Sequence, residues 1–402
     1  MSLKLSLRNL LPIRGNVRIL IIQTLIFNTG LNLFYVAWQP FVLFLGASVT
    51  ILGVLQSLGW LSLTILQPFF GKISDRIGRK KPMIMGAGLS VVALIIFTIT
   101  SAMAKIWYLL IPAIIFWGTS SAISQPAWDA LLAESVEKKE RGTAMGLITG
   151  LGQATGIYAP IIAGLLHGYF GYQIIFLIFL ICGALNFALI FLLKETHRGR
   201  RKRFLTKNDI RSIFKTIFIP ERKLIGFFLF VVVNQLAWWI TWPIFYGMLT
   251  KEFGFTVPQI GYLYVILSLS SLLLVIPLGK MIDKYGRKTI LLITQIMGCF
   301  ALIGYIFFHQ FEAFLILQIP WTITFITWVP ATFAWLADEV PAKRRGQAMG
   351  RLYAFRALGS SPAPIIGGLL FDNFGFNTPI MTNLFLVIAS LLIATIFIRE
   401  TR

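Results

Sequence analysis

The chain has 402 residues, of which 57% are hydrophobic and only 13% are charged, whereas soluble globular domains usually carry about 25% charged residues. This composition excludes an ordinary soluble protein, because a soluble core could not take up so much apolar surface. A formal net charge of +21 would ordinarily favour nucleic acid as a partner, but the positions of the basic residues decide otherwise.

Twelve apolar runs follow one another along the chain. A bilayer core requires about 20 mainly apolar residues per helix, because every backbone polar group must be paired inside the segment. The basic segment 195–221, which contains RGRRKRF, separates six runs from six. We therefore expect an all-α membrane protein with two six-helix bundles, residues 1–194 and 222–402, joined by this linker. The predicted spans are 17–45, 49–70, 82–101, 106–133, 142–168, 172–194, 222–249, 257–278, 288–309, 311–337, 346–371 and 376–398.

Basic residues concentrate in alternate loops of this arrangement. With both termini on one side of the membrane, the termini and loops of that side hold 32 of the 36 Lys and Arg residues. The loops of the other side hold only Lys105 and Lys251. Since positive residues concentrate on the cytoplasmic side, we expect a multi-pass protein of the cell membrane with both termini in the cytoplasm. Topology and anionic lipid then explain the basic excess, and no nucleic-acid partner is expected.

The two halves of the chain repeat each other. AESVEKKERGTAMG at 133–146 aligns with ADEVPAKRRGQAMG at 337–350, at an offset of 204 residues. APIIAGLLHGYFGY at 159–172 aligns with APIIGGLLFDNFGF at 363–376 at the same offset. Because six spans separate each copy from its counterpart, both halves have the same topology, as in the parallel repeats of secondary transporters.

A further repeated pair carries charge in two matching loops. GKISDRIGRKKPM at 71–83, between spans 2 and 3, aligns at an offset of 208 with GKMIDKYGRKTIL at 279–291, between spans 8 and 9. These stretches, here called the first and second signature loops, resemble the signature loop of the major facilitator superfamily, and the resemblance extends over essentially the whole chain. The matching residues are Gly71, Asp75, Arg76, Gly78, Arg79 and Lys80, then Gly279, Asp283, Lys284, Gly286, Arg287 and Lys288.

The resemblance implies that both signature loops act as a cytoplasmic gate. In the family the loop Asp lies near the N-terminal end of span 11 or span 5, and the basic residues pair with acids at neighbouring helix ends. A carboxylate at a helix N-terminus is stabilised by about 0.3–1 kcal/mol, which agrees with that role. For Asp75 and Asp283 we therefore favour gating over a solvated turn.

Spans 1, 4, 7 and 10 line the central cavity in the family, and here they carry polar and aromatic residues at helical spacing. For each residue two interpretations stay open: contact with a solute, or interhelical hydrogen bonding and interfacial anchoring. Together they favour a cavity for amphipathic or aromatic solutes. The predicted cavity residues are Asn28, Asn32, Tyr35, Gln39, Trp117, Ser121, Gln125, Trp128, Asn234, Trp238, Thr241, Trp321 and Trp328.

Asp129 of span 4 is the one carboxylate that we predict inside a helix. Intramembrane charges generally pair, so Arg351 and Arg356 of span 11 are its candidate partners. We interpret Asp129 as half of a cytoplasmic gate or as a proton-coupling site. Proton coupling follows from the resemblance only, since proton-driven members have an Arg four residues before a span 4 Gly, where this chain has Ile114 before Gly118.

The predicted function is transport of a small organic solute across the cell membrane by alternating access, by a monomer without a cofactor or metal. Proton-coupled efflux of hydrophobic or amphipathic compounds is favoured. Uptake or facilitated diffusion of a sugar or other small metabolite is the alternative, and a channel is a more remote one. An enzyme is not expected, because His167, His197 and His309 form no catalytic or metal-binding pattern and no Gly-rich phosphate loop is present.

Overall fold

The computed structural model describes residues 15–103, 106–197, 220–341 and 344–398, and these fold into α-helices with short 3-10 turns. The basic residues predicted at the N-terminus before Gly15, the linker stretch RGRRKRF and the C-terminal Arg399 and Arg402 lie outside the described residues. The helices are α1 (Asn16–Phe44), α2 (Val49–Ile77), α3 (Lys80–Ala102), α4 (Leu110–Glu134), α5 (Arg141–Ile190), α6 (Ile225–Thr241), α7 (Phe245–Phe253), α8 (Val257–Tyr285), α9 (Arg287–Phe307), α10 (Phe311–Glu339), α11 (Arg345–Ser360), α12 (Ala363–Phe374) and α13 (Asn377–Phe397).

Ten helical stretches in the described ranges are long and apolar enough to cross a membrane. The prediction of an all-α membrane protein is therefore confirmed. Large apolar side chains such as Phe307, Phe385 and Ile396 are more than 70% exposed. In a soluble protein such a surface would drive association, whereas here it is suited to contact with lipid tails.

The helices differ from the predicted spans at three breaks. Spans 5 and 6 run together as α5, which bends at Gly171, where the backbone takes φ 69° and ψ −162°. Span 7 is interrupted between α6 and α7 by a 3-10 turn at Trp242–Ile244, because Pro243 has no N–H to continue the helix. Span 11 is divided into α11 and α12 at Pro362 in the same way. Prolines and a left-handed glycine, rather than polar loops, therefore set these boundaries.

The chain divides into two compact units, Met1–Gly46 with Leu58–Lys202, and Ala47–Ser57 with Arg203–Arg402. The first residues of α2 thus group with the second unit. There the carboxylate of Asp372 accepts hydrogen bonds from the Val49 N–H at 3.3 Å and the Thr50 N–H at 2.8 Å. A carboxylate at this position pairs N–H groups that the first turn of a helix leaves free, and it complements the helix dipole.

Each unit has its own hydrophobic cluster, and the two clusters use equivalent positions of the repeat. In the first unit the cluster includes Ala127, Leu131, Leu132, Ala144, Ile148 and Ile190. In the second unit it includes Ala331, Trp335, Leu336, Ala348, Leu352 and Ala394, each 204 residues further along the chain. The duplicated sequence therefore packs in the same way in both units.

Candidate transport site and gating loops

Arg79 is the centre of a charge cluster in the first signature loop. Gly78 makes the turn between α2 and α3. Its φ of +95° is a backbone conformation that glycine adopts readily. The turn directs the Arg79 guanidinium, which is only 9% exposed, back toward the helix ends. It donates to Asp75 Oδ1 at 2.6 Å, to Ser74 Oγ at 3.1 Å and to Glu134 Oε1 at 2.8 Å. One guanidinium therefore ties the end of α2 to the end of α4.

The two carboxylates of the Arg79 cluster differ in how far solvent reaches them. Partial burial would lower the pKa of the Arg79 guanidinium, but its hydrogen bonds to Glu134 and Asp75 outweigh burial and raise it. Arg79 therefore stays charged at any physiological pH. The Asp75 side chain is 66% exposed and that of Glu134 only 28%, so we assign the stronger interaction to Glu134, where solvent screens less.

Glu195, just after α5, holds the same loop through its backbone. Its carboxylate accepts from the Arg79 N–H at 2.9 Å and the Lys80 N–H at 3.0 Å, at the start of α3. Burial would raise the pKa of this carboxyl, but the backbone N–H donors outweigh burial and lower it. Glu195 thus caps α3 from 116 residues away in the chain.

The capping role of Glu195 predicts a pH dependence of stability. Because the folded pKa lies below the unfolded value, the contribution of Glu195 is present above the unfolded pKa, about 4.3, and is lost as pH falls through the folded pKa. In thermal unfolding at pH 7, we expect Glu195→Gln to be less stable by about 0.5–2 kcal/mol, as for other lost caps. The gap should close below pH 4. A gap that stays constant with pH would contradict this account.

The second signature loop repeats the cluster around Arg287. Gly286 makes the turn with φ +96°. Arg287 NH2 lies 3.5 Å from Asp283 Oδ1, and Arg287 Nε lies 3.1 Å from Asp338 Oδ2. Asp338 is 204 residues beyond Glu134, so both units place an acid of the same repeat position against the loop arginine. Glu134, Glu195 and Asp338 were not among the predicted site residues, although the repeat alignment pairs Glu134 with Asp338.

One lysine of each signature loop also donates to the carbonyl at the end of a neighbouring helix. Lys80 Nζ donates to Phe191 O at 2.7 Å, and Lys288 Nζ donates to Thr395 O at 3.0 Å. Cations at helix C-termini are favourable, because the last carbonyls of a helix lack partners. Of the remaining loop positions, Gly71 and Gly279 are helical, and Arg76 is half-buried without an ion pair among the described residues.

The predicted cavity residues of span 1, here called its polar stripe, are partly packed against α5 and partly exposed. Asn28 lies against Gly152 of α5. Asn32 Nδ2 donates to Thr155 Oγ1 of α5 and to the Asn28 carbonyl, both at 2.9 Å. Tyr35 is 41% exposed, while Gln39 is buried. Tyr35 is therefore the member of this stripe with the most surface to offer a solute.

Span 4 shows a similar division along α4. Trp117 packs in an aromatic cluster with Phe34 and Phe179, at centroid distances of 6.1 and 5.5 Å. The Ser121 hydroxyl donates to the Trp117 carbonyl, and Trp128 packs against the first-unit cluster. Only Gln125 is exposed among the predicted cavity residues of this helix.

Asp129 lies one turn beyond Gln125 on the same exposed face of α4. Among the described residues it has no ion pair or hydrogen bond of its own. Arg351 and Arg356 are half-buried on α11. Their pairing with Asp129 stays a prediction.

The polar stripe of span 7 faces neighbouring helices of the second unit. Asn234 is fully buried and donates to Gln295 Oε1 of α9 at 3.0 Å and to Ser390 Oγ of α13 at 3.1 Å. The Trp238 indole N–H also donates to Gln295 Oε1. Thr241 is fully buried and accepts from Asn383 of α13 at 2.6 Å. These contacts favour the helix-packing interpretation for this stripe.

Span 10 places its tryptophans in two different settings. Trp321 is buried against Trp238 and Trp242, at centroid distances of 4.9 and 5.5 Å. Trp328 lies beneath the guanidinium of Arg356 at 4.9 Å. Trp242, which was not among the predicted residues, stacks at 5.3 Å on Phe325, and Phe325 is half exposed. Within this group of stacked rings, the exposed aromatic surface is therefore that of Phe325 rather than that of Trp321.

Comparison with known proteins decides the family. The family model of the Major Facilitator Superfamily matches residues 20–234 and 227–402 of this chain. The chain belongs to the major facilitator superfamily. The predicted resemblance is thereby confirmed, and members of this superfamily are transporters rather than enzymes.

Two relatives are named as multidrug resistance proteins. The chain is 25% identical over 350 residues to Multidrug resistance protein 2 of Bacillus subtilis, a match that covers 85% of each chain. It is 25% identical over 344 residues to Multidrug resistance protein MdtG of Salmonella paratyphi C, covering 81% of this chain and 80% of that one.

Solved structures share the fold at low sequence identity. A mutant of the nucleoside transporter NupG aligns with a TM-score of 0.75 at 14% identity, over 94% of this chain and 98% of that one. A bacterial homologue of the iron transporter ferroportin, in an inward-facing state, also aligns with a TM-score of 0.75 at 14% identity, over 96% and 99% of the two chains. At this identity the likeness concerns the fold alone.

Proposed function

We propose that this chain is a monomeric secondary transporter with twelve spanning helices in two six-helix halves, both termini in the cytoplasm, which exports hydrophobic or amphipathic organic compounds by alternating access. The names of its relatives support drug efflux. The breaks in the helices support the count of twelve, since dividing α5 at Gly171 and adding α11 with α12 extends the ten apolar stretches to twelve.

The observation that carries the proposal is the duplicated charge cluster. Arg79 with Asp75 and Glu134, and Arg287 with Asp283 and Asp338, occupy equivalent positions of two repeats. An ion pair between the ends of adjacent helices can break and form again as the helices move. Each such ion pair therefore gives the helix ends two discrete arrangements, paired and separated. Two such elements at equivalent positions of parallel repeats fit a transporter that works by alternating access.

Counterflow in proteoliposomes tests the mechanism. Vesicles loaded with unlabelled aromatic amphiphile should accumulate the labelled compound transiently, because a carrier exchanges solute across the membrane. Vesicles loaded with buffer alone are the control. Simple equilibration at the same rate in both vesicle populations would indicate a channel and would refute alternating access.

The coupling proton is assigned to Asp129. Transport driven by an imposed pH gradient should be lost in Asp129→Asn, because an amide cannot release a proton at physiological pH, while counterflow at equal pH persists. Glu137→Gln is the matched control, since Glu137 is an exposed acid that, in the described part of the chain, pairs with Lys139 at 3.0 Å. An Asp129→Asn protein that retains the pH response of the wild type would eliminate Asp129 as the coupling group.

A further inference from the structure

A cation lies against two aromatic rings at the contact of α10 and α11 in the second unit. The Arg356 Cζ lies 4.9 Å from the centroid of the Trp328 ring and 5.9 Å from that of Tyr353. Trp328 is only 5% exposed, whereas Tyr353 is 56% exposed. The Arg356 guanidinium therefore has a buried aromatic floor on one side and an open rim on the other.

Two buried donors of this group have no acceptor. Arg356 Nε and Trp328 Nε1 are both inaccessible to solvent, and nothing in the described ranges accepts a hydrogen bond from either. Buried donors are normally paired, and an unpaired one is costly. The contact with aromatic rings stabilises the positive charge of Arg356 but satisfies neither N–H.

The depth of Arg356 makes lipid an unsuitable neighbour. Arg356 lies eleven residues after Arg345, where α11 begins, which places it about 16 Å along the helix. That is about half of a hydrocarbon core of about 30 Å. Intramembrane arginines at such depth face protein or a water-filled cavity rather than lipid tails. A solute that enters such a cavity could reach Arg356.

An exposed apolar side chain lies one helical turn from Trp328. Phe325 lies on α10 one turn before Trp328, at a rise of about 4.5 Å. It is 51% exposed and stacks on Trp242 at 5.3 Å. A compound with an aromatic ring and an acidic group could thus place its ring on Phe325 and its acid at Arg356.

We propose that Arg356, Trp328 and Tyr353 form a binding subsite for the carboxylate of an aromatic or hydrophobic acid. A carboxylate neutralises the guanidinium, and Arg and carboxylate form strong charge-assisted hydrogen bonds. Because Arg356 Nε and Trp328 Nε1 are closed to solvent, its oxygens reach these two N–H groups only when the side chains that cover them move aside. The assignment rests on the proposed function, because it names the class of solute that the transporter carries.

Binding of three naphthalene probes to the purified full-length protein tests the proposal: 2-naphthoate, 2-naphthalenemethanol and 2-naphthylmethylammonium, measured by calorimetry. In the wild type we expect 2-naphthoate to bind at least about tenfold more tightly than the alcohol, which is the ratio that one charge-assisted pair gives. The ammonium compound should bind most weakly. Equal affinities for the three probes would overturn the proposal.

Variants separate the subsite from the apolar surface. Arg356→Gln should lose the preference for 2-naphthoate over the alcohol while the alcohol still binds, which also shows that the variant is folded. Trp328→Phe keeps a ring but removes the N–H, so it should weaken 2-naphthoate selectively. Arg356→Lys gives a folded alternative, with a point charge in place of the planar fork, and should retain only part of the preference. Lys251→Gln, an exposed lysine outside the subsite, is the charge-matched control.

The same probes distinguish this proposal from the proposed function. If proteoliposomes show counterflow of 2-naphthalenemethanol while the wild type has no preference for the acid, the subsite is wrong and the transport function stands. If 2-naphthoate binds with the predicted dependence on Arg356 but no probe shows counterflow, the subsite stands and the transport function fails.

Discussion

Replacing Arg79 with Gln is expected to reduce transport by at least about tenfold, because the variant leaves the Glu134 carboxylate half-buried without its cation. Hydrogen bonds to charged groups contribute about 1.5–3 kcal/mol, and about 1.4 kcal/mol corresponds to a tenfold change in an equilibrium. Loss of the cluster should therefore depopulate the arrangement that the loop holds closed. Initial rates of counterflow in proteoliposomes measure the effect, and thermal unfolding reports the loss of stability.

A double-mutant cycle assigns the Arg79 effect to its partner. Glu134→Gln removes the carboxylate that Arg79 contacts at 2.8 Å. If the ion pair accounts for the loss, the double variant should be impaired by less than the sum of the two single effects, with a coupling energy of about 0.5–3 kcal/mol. Strictly additive effects would show that the two residues act independently.

Two further variants show how large the effect of Arg79→Gln is relative to other basic residues of the signature loops. Lys81→Gln removes the same charge from an exposed position two residues along the chain and should have little effect. Arg287→Gln in the second unit should have a smaller effect than Arg79→Gln, because its contacts to Asp283 and Asp338 are longer, at 3.5 and 3.1 Å. An Arg287→Gln variant that is more impaired than Arg79→Gln would reverse this ranking.

The sequence was sufficient to predict the features that depend on composition and repetition. Membrane spans follow from runs of apolar residues, and the loop turns follow from Gly78 and Gly286 because a left-handed turn accepts glycine. The breaks at Pro243 and Pro362 carry a visible signal as well. They were missed because apolar residues continue on both sides of each proline, so a search for polar loops passes over them.

The partners of polar residues within the bundle could not be predicted in the same way. Helical spacing places Asn234, Trp238 and Thr241 on one face of span 7, but it does not say which helix lies opposite that face. The structure places α9 and α13 there, through Gln295 and Asn383. For Glu195 the obstacle is distance along the chain, since its partner N–H groups are more than 100 residues away.

Gly78→Ala is the second substitution with a large expected effect, since it meets two obstacles at once. A side chain at φ +95° occupies a conformation that L-residues rarely adopt, at a cost of about 1–3 kcal/mol. An added Cβ would also lie 2.6 Å from Glu195 Oε2, closer than real Cβ contacts allow. Glu195 would have to move away from the N–H groups of Arg79 and Lys80, so the cap of α3 would be lost with it. Thermal unfolding should show a clear loss of stability, whereas Gly146→Ala, where a Cβ meets nothing within 4 Å, should be close to neutral.

The two obstacles at Gly78 can be separated by removing Glu195 first. In a Glu195→Ala background the contact with the carboxylate disappears and the cap is already absent, so the backbone strain and a 3.1 Å contact with His197 O should remain. Gly78→Ala is therefore expected to cost less in this background than in the wild type. The residual cost measures the strain of the turn together with that backbone contact. A cost that is unchanged by Glu195→Ala would mean that the carboxylate does not constrain Gly78, and a cost as small as that of Gly146→Ala would mean that the turn tolerates a side chain.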